Sequence, residues 1–263
     1  IAMLSHPDFE KTDFSSMRTG IMAGSPCPIK VMEEVINKMH MDEICITYGQ
    51  TEASPGCTMS KTTDSIEDRV NTVGGAMYGV ECKIVDPETG EDLPDNTDGE
   101  FVARGYNIMK GYYKMPQATA AAIDKDGWLH TGDLARRNEK GYYKITGRIK
   151  DMIIRGGENI YPKEIEDFIY TNEKVSDVQV IGVPDKQYGE EIMACVIKKD
   201  DSLTEEELHD YIAANMAKHK VPRYIVFIDE FPMNAAGKIL KYKMRENAVE
   251  LLGLQDAENI VTA

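Results

Sequence analysis

Ile44-Cys45-Ile46-Thr47-Tyr48-Gly49-Gln50-Thr51-Glu52 begins as an apolar, strand-favouring run and ends in a polar tip behind an aromatic ring. The apolar part is short and rich in β-branched residues, so it predicts a buried strand over 44–47. Upstream, Arg18 to Gly24 reads as another short strand, broken by Ser25-Pro26-Cys27-Pro28. Val31, Met32, Val35, Ile36 and Met39 then recur at helical spacing. Strand, loop, helix and strand in that order predict the last turns of a parallel α/β layer. Open α/β sheets gather ligands beyond their strand ends, which makes Tyr48 to Glu52 a candidate binding tip.

Downstream the pattern changes. Between Asp68 and Gly147, short β runs alternate with turn chemistry at 86–90, 95–99 and 138–141, which predicts hairpins in a barrel-like or sheet subdomain. After Arg148 the reading is strand (152–154), helix from Pro162 with Ile165, Phe168 and Ile169 on one face, and strands at 178–183 and 192–198. A helix follows with Thr204 and Glu207 in capping-box positions, then a strand at 224–228. The fold class is therefore α/β followed by a small α+β module, with the join placed after Ile149, giving domains 1–149 and 150–263.

A chain of 263 residues is long enough for a moderate domain and a smaller one. The net charge of −15 argues against a nucleic-acid partner, because such proteins present a basic face. An anionic ligand must then meet local cations, of which two clusters stand out: Lys144, Arg148, Lys150 and Arg155, and Lys238, Lys241, Lys243 and Arg245. The five cysteines are scattered and never in a Cys-x-x-Cys spacing, which fits a reducing cytoplasm. No apolar run approaches the roughly 20 residues of a transmembrane helix, so no membrane span is expected. Ile1 is no initiator, which suggests a truncated or proteolytic piece.

The segments Tyr48-Gly49-Gln50-Thr51-Glu52, Thr131-Gly132-Asp133-Leu134, Gly147-Arg148-Ile149-Lys150-Asp151 and Gly237-Lys238-Ile239-Leu240 lie in this order along the chain. Between them come Gly105-Tyr106-Asn107-Ile108-Met109-Lys110-Gly111-Tyr112 and Gly156-Gly157-Glu158-Asn159-Ile160-Tyr161-Pro162. Each alone is weak; together they resemble the motifs of the adenylate-forming superfamily of acyl-CoA synthetases, luciferases and peptide-synthetase adenylation domains. The resemblance covers nearly the whole chain. It implies the remainder of a large N-terminal domain, an α/β layer plus a distorted β-barrel, followed by a small mobile C-terminal domain. The family's Ser/Thr/Gly-rich phosphate loop ending in Lys is absent, so this stretch alone is expected to be a poor catalyst.

The resemblance also implies roles. Activating a carboxylate means attack on the α-phosphate of ATP, so the site must hold the nucleotide and neutralise charge on phosphoryl oxygens. Tyr48 offers a face to adenine and the segment Gly24-Ser25-Pro26 packs on the opposite side; the plainer alternative is a strand-end tyrosine in the core. The Thr51 hydroxyl can donate to a phosphate oxygen, and Glu52 is a hard oxygen ligand suited to the Mg²⁺ that accompanies ATP. Asp133 can accept both ribose hydroxyls, or it can merely fasten its own turn. Arg148 is expected on the ribose and phosphate side, and Ile145 against adenine or in the core. Trp128 and His130 are assigned to packing. Lys238 can bridge the incoming carboxylate and the α-phosphate as a compact charge. Gly156 and Gly157 fit a strand that lines the pantetheine tunnel of coenzyme A after a rotation about Lys150; a ligand-free bulge is the alternative.

The expected activity is ligation of a small-molecule carboxylic acid to CoA with ATP, giving AMP and pyrophosphate through an acyl-AMP. Tyr48-Gly49 lacks the bulky tryptophan of acetate-specific relatives, which points to a medium or long acyl chain or an aryl acid. Two rivals stand beside it: loading of a carrier-protein thiol, and a non-catalytic nucleotide binder. A homodimer stays open as the assembly.

Overall fold

The computed structural model describes residues 2–24, 27, 29–234 and 237–257. The chain divides into two compact units, residues 1–146 and 147–263. The break falls just ahead of the expected join, inside a strand that runs on to Arg148.

The first unit opens with β1 (Thr19–Met22), α1 (Ile29–Met39) and β2 (Glu43–Gly49). β1 and β2 are parallel, with Thr19 opposite Glu43, as the strand–helix–strand order predicts. Met32, Val35 and Met39 of α1 bury one stripe against Ile44, Ile46 and Phe9. β3 (Gly56–Met59), α2 (Ile66–Asn71) and β4 (Gly75–Ala76) follow, giving a sheet ordered β1-β2-β3-β4. Ser65 caps α2 by accepting the Asp68 amide at 3.0 Å. Arg69, almost wholly buried, donates to the carbonyls of Asp42, Asp64 and Ile44 and so ties α2 to the start of β2.

β5 (Val80–Val85), β6 (Gly99–Gly105), α3 (Pro116–Ala122), β7 (Leu129–Arg137) and β8 (Tyr143–Arg148) complete the meander predicted from the turn signals. Of the two forms expected, barrel-like or sheet, the structure shows an open four-stranded sheet, ordered β5-β6-β7-β8 among the described residues. Phe101 on β6 sits at its centre, fully buried, with the rings of Tyr48 and Tyr143 edge-on at 5.0 Å and 5.1 Å.

The second unit contains β9 (Ile153–Arg155), β10 (Glu158–Ile160), α4 (Pro162–Ile169), β11 (Val175–Asp185), β12 (Gly189–Lys198), α5 (Glu205–Ala213), β13 (Tyr224–Phe227) and α6 (Lys241–Leu252). β11 and β12 pair antiparallel along nearly their whole length, and β13 adds parallel to β12. Val178, Val180, Ile192, Ala194 and Val196 face the buried Ile165, Ile169, Leu208 and Ile212 of α4 and α5. Ile181, Val183, Met193 and Cys195 face Met244 and Ala248 of α6. Both parities of β11 and β12 are therefore apolar because both faces are covered. Among the described residues no helix is long and apolar enough to cross a membrane.

Candidate functional site

The polar tip after β2 is held in a fixed shape. Thr51 to Ala53 form a single 3₁₀ turn, after which the chain folds back so that Gly56 lies opposite Gly49. A Cβ on Gly49 would stand 1.7 Å from the Pro55 carbonyl oxygen, so only glycine permits this return. Gly49→Ala is expected to destabilise the protein by about 2 kcal/mol through overpacking; an unchanged thermal midpoint in a melting experiment would contradict the geometry.

The segment after β6, which the sequence reading recognised without assigning it a task, clamps this tip. The Asn107 amide donates to the carbonyls of Ala53 and Gly56 at 3.0 Å and 2.7 Å. The Met109 amide donates to the Glu52 carbonyl at 2.8 Å, and the Tyr112 hydroxyl donates to Glu52 Oε1 at 2.8 Å. That bond to Glu52 raises the Tyr112 phenol above its ordinary range, so it stays a donor. Glu52 is thus half-buried and oriented, and the exposed Thr51 hydroxyl next to it has no hydrogen-bond partner among the described residues.

Asp133 comes to the same place from β7. Its Oδ2 accepts the Tyr48 hydroxyl at 2.7 Å, which joins two of the expected nucleotide residues across 85 positions of sequence. Burial first, and the charge of Asp133 next, push the Tyr48 phenol far above the usual tyrosine range, so it remains protonated and donates. The carboxylate of Asp133 therefore reaches across the fold to the end of β2. Ile145 on β8 packs against the same core as Tyr48 and Phe101. Cys57 lies under this core, and burial together with Asp133 raises its thiol to about 11, which keeps it neutral at physiological pH.

His130 does more than pack. Its Nδ1 lies 2.7 Å from Glu100 Oε2 and its Nε2 lies 3.7 Å from Asp124. Glu100, which the sequence reading passed over, also accepts the Gly132 amide at 3.0 Å. Trp128 is a cation–π platform, with Lys83 and Arg104 each about 4.5 Å from its ring. Gly24 lies two residues past β1 at φ +88; Ser25 and Pro26 lie outside the described residues, as does the loop pair Ala235-Ala236.

In the second unit, Arg148 ends β8 and Lys150 is exposed in a 3₁₀ turn over Ile149–Asp151. Gly156 and Gly157 are the two central residues of the β9–β10 hairpin, with φ of +60 and +85. The turn geometry by itself calls for glycine at both. Lys238 stands on a tight loop: Met233 bridges Ile239, the Asn234 amide donates to the Lys238 carbonyl at 2.9 Å, and Asn234 Oδ1 accepts the Lys238 amide at 2.9 Å. Its side chain is exposed, and its ammonium has no ion-pair partner among the described residues.

Several neighbouring cations are committed elsewhere. Lys241 pairs with the buried Glu166 at 2.6 Å, Arg245 lies 3.4 Å from Asp151, and Arg155 pairs with the fully buried Glu191. Those three side chains, counted among the anion-binding clusters in the sequence, are structural. Among the described residues no group of three or more His, Cys, Asp or Glu side chains could hold a metal ion.

Comparison with known proteins accounts for both units. A family model described as AMP-binding enzyme matches residues 1–113, and one described as AMP-binding enzyme C-terminal domain matches residues 164–238. The chain is 53% identical over 259 residues to the Bacillus subtilis protein named "Putative acyl-CoA synthetase YngI", covering 98% of this chain and 47% of that one. It is 46% identical to "Medium-chain acyl-CoA ligase ACSF2, mitochondrial" of Bos taurus, covering 97% of this chain and 42% of that one. The crystal structure of ATP-bound MatB from Rhodopseudomonas palustris superposes with a TM-score of 0.85 at 34% identity, over 94% of this chain and 49% of that one. The chain thus spans about half the length of the relatives it matches.

Proposed function

Because this chain belongs to the AMP-binding enzyme family, we propose that the whole protein is an AMP-forming acid–thiol ligase, which joins a carboxylic acid to coenzyme A through an acyl-AMP. The observation that carries the reading is the bond from Tyr48 to Asp133, beside the clamped Thr51-Glu52 tip. A fixed carboxylate next to a buried aromatic ring suits a ribose and its base, and a hydroxyl and carboxylate at the tip suit phosphates.

The roles follow from the chemistry of each group. The Tyr48 ring and Ile145 flank adenine, and Asp133 accepts the ribose hydroxyls. The Thr51 hydroxyl donates to a phosphate oxygen. The donor set at the tip, a single oriented carboxylate, fits magnesium that arrives with the nucleotide. Magnesium bound there would neutralise phosphoryl charge. Glu52→Gln is therefore expected to raise the magnesium concentration needed for half-maximal rate about tenfold, at a small cost in stability; an unchanged magnesium requirement would remove Glu52 from that role.

Lys238 supplies the positive charge between carboxylate and α-phosphate, on a C-terminal domain (150–263) that turns about Lys150. After pyrophosphate leaves, the Gly156-Gly157 hairpin gives the pantetheine arm close passage along the backbone, and Arg148 stays with the nucleotide. The medium-chain acid in the name of the bovine relative favours a medium-length acyl substrate.

The test is pyrophosphate release from ATP by the full-length protein across acids of graded length, followed by thioester formation with CoA. Release with medium-chain acids and thioester on CoA supports the proposal. Release with transfer only to a carrier-protein thiol would replace it with carrier loading, and nucleotide binding with no release for any acid would make the protein a binder.

A further inference from the structure

β6 and β7 do not pair evenly. Glu100 lies opposite Leu134 and Val102 lies opposite His130, so Thr131, Gly132 and Asp133 all face the single residue Phe101. The Thr-Gly-Asp motif is therefore a β-bulge, the device by which a strand re-aims a side chain. Gly132 takes φ +69 at its crest.

Two side chains hold the bulge open. The Thr131 hydroxyl donates to the Phe101 carbonyl at 2.6 Å and accepts the Asp133 amide at 3.1 Å. Glu100 holds the other side: its Oε1 accepts the Gly132 amide and its Oε2 contacts His130 Nδ1. The Glu100 side chain is only 8% exposed. A carboxylate so deeply placed is costly unless its oxygens are engaged, and both of them are. His130 is steadied in turn by Asp124, which accepts the amides of Asp126 and Trp128 in the preceding turn. A connected path thus runs from the Asp124 turn through His130, Glu100 and the Gly132 backbone to Asp133, and ends on the Tyr48 hydroxyl.

Building on the ribose role given to Asp133 above, we propose that Glu100 and His130 are positioning residues for it: they lock the bulge that aims Asp133 and thereby set the affinity for ATP without touching the nucleotide. Without Glu100 the extra residues of β7 lose their anchor, and Asp133 loses its aim while its own side chain is intact.

The full-length protein is assayed for KM of ATP and of the acid separately, with thermal unfolding of each variant alongside. Glu100→Ala is expected to raise the ATP KM about tenfold and leave the acid KM in place, because the misaimed group serves one substrate only. Glu100→Gln recovers most of the loss, since its carbonyl can accept the Gly132 amide while its NH₂ stays beside His130 Nδ1. Asp133→Ala raises the ATP KM at least as far, and adding Glu100→Ala to it changes little more, as expected when one residue acts through the other. Should Glu100→Ala fail to fold, His130→Ala carries the comparison, with an expected rise of about threefold. An ATP KM unmoved in the Glu100 or His130 variant while Asp133→Ala raises it overturns the inference alone. An ATP KM unmoved in Asp133→Ala overturns the ribose role itself, and the inference with it.

Discussion

Lys238→Ala is expected to slow acyl-adenylate formation by about 10²–10³-fold while thioester formation from added acyl-AMP proceeds near the parent rate. Lys238 carries a charge that its neighbours have already spent. Lys241 and Arg245 are drawn inward to Glu166 and Asp151, whereas Lys238 is exposed on a hairpin braced by Asn234, with no internal ion pair among the described residues. Gly237 at φ +75 makes the turn that presents it. A built loop that displays an ammonium suits a ligand's negative charge, and a compact ammonium can meet carboxylate and α-phosphate together. Single-turnover measurement of the two half-reactions checks this. Equal slowing of both would make the residue a general structural element, and no slowing would return it to a solvated loop.

The second large effect is on stability. Glu166→Ala is expected to cost about 3 kcal/mol in chemical denaturation. Glu166 Oε1 accepts both the Val180 amide at 2.9 Å and the Lys241 ammonium at 2.6 Å, and Lys241 donates also to the Val180 carbonyl. One buried oxygen thus joins α4, the middle of β11 and the first turn of α6. Its removal strands an amide and an ammonium in a poorly hydrated place, and the cost comes from those orphaned groups more than from the lost pair. Glu166→Gln keeps the acceptor for Val180 and should lose roughly half as much. A change under about 0.5 kcal/mol for the alanine variant, the range of an ordinary surface substitution, would contradict the picture.

These effects show which parts of the molecule are legible in the sequence. The strand ending at Gly49, the helix under Met32 and Val35, and the two-faced strands of the second unit were readable because apolar periodicity reports local structure and burial together. Thr204 was readable as a cap, and it does accept the Glu207 amide at 3.1 Å. The Glu207 carboxylate leaves the capping box for Lys174, a partner 33 positions away that no local pattern announces. The same limit hid the fate of Arg155, Lys241 and Arg245: sequence displays charges but not the buried carboxylates that claim them. His130 and Glu100 were missed because the bulge exists only through pairing of β6 with β7. A glutamate next to Gly99 and a histidine before Thr131-Gly132-Asp133 were the available signals. The glycines at 156 and 157 teach the converse, since a two-residue hairpin turn accounts for both before any ligand is considered.

The account rests on a carboxylate oxygen attacking the α-phosphorus of ATP, and oxygen labelling reads that step directly. The full-length protein turns over an acid carrying ¹⁸O in both carboxylate positions, with ATP and CoA in unlabelled water. Attack on the α-phosphorus expels pyrophosphate, and the thiol then attacks the acyl carbon, so the bridging oxygen departs with the nucleotide. The account predicts one ¹⁸O in each AMP and none in the pyrophosphate. Label in inorganic phosphate, with ADP as the other product, would place the attack on the terminal phosphate and contradict it.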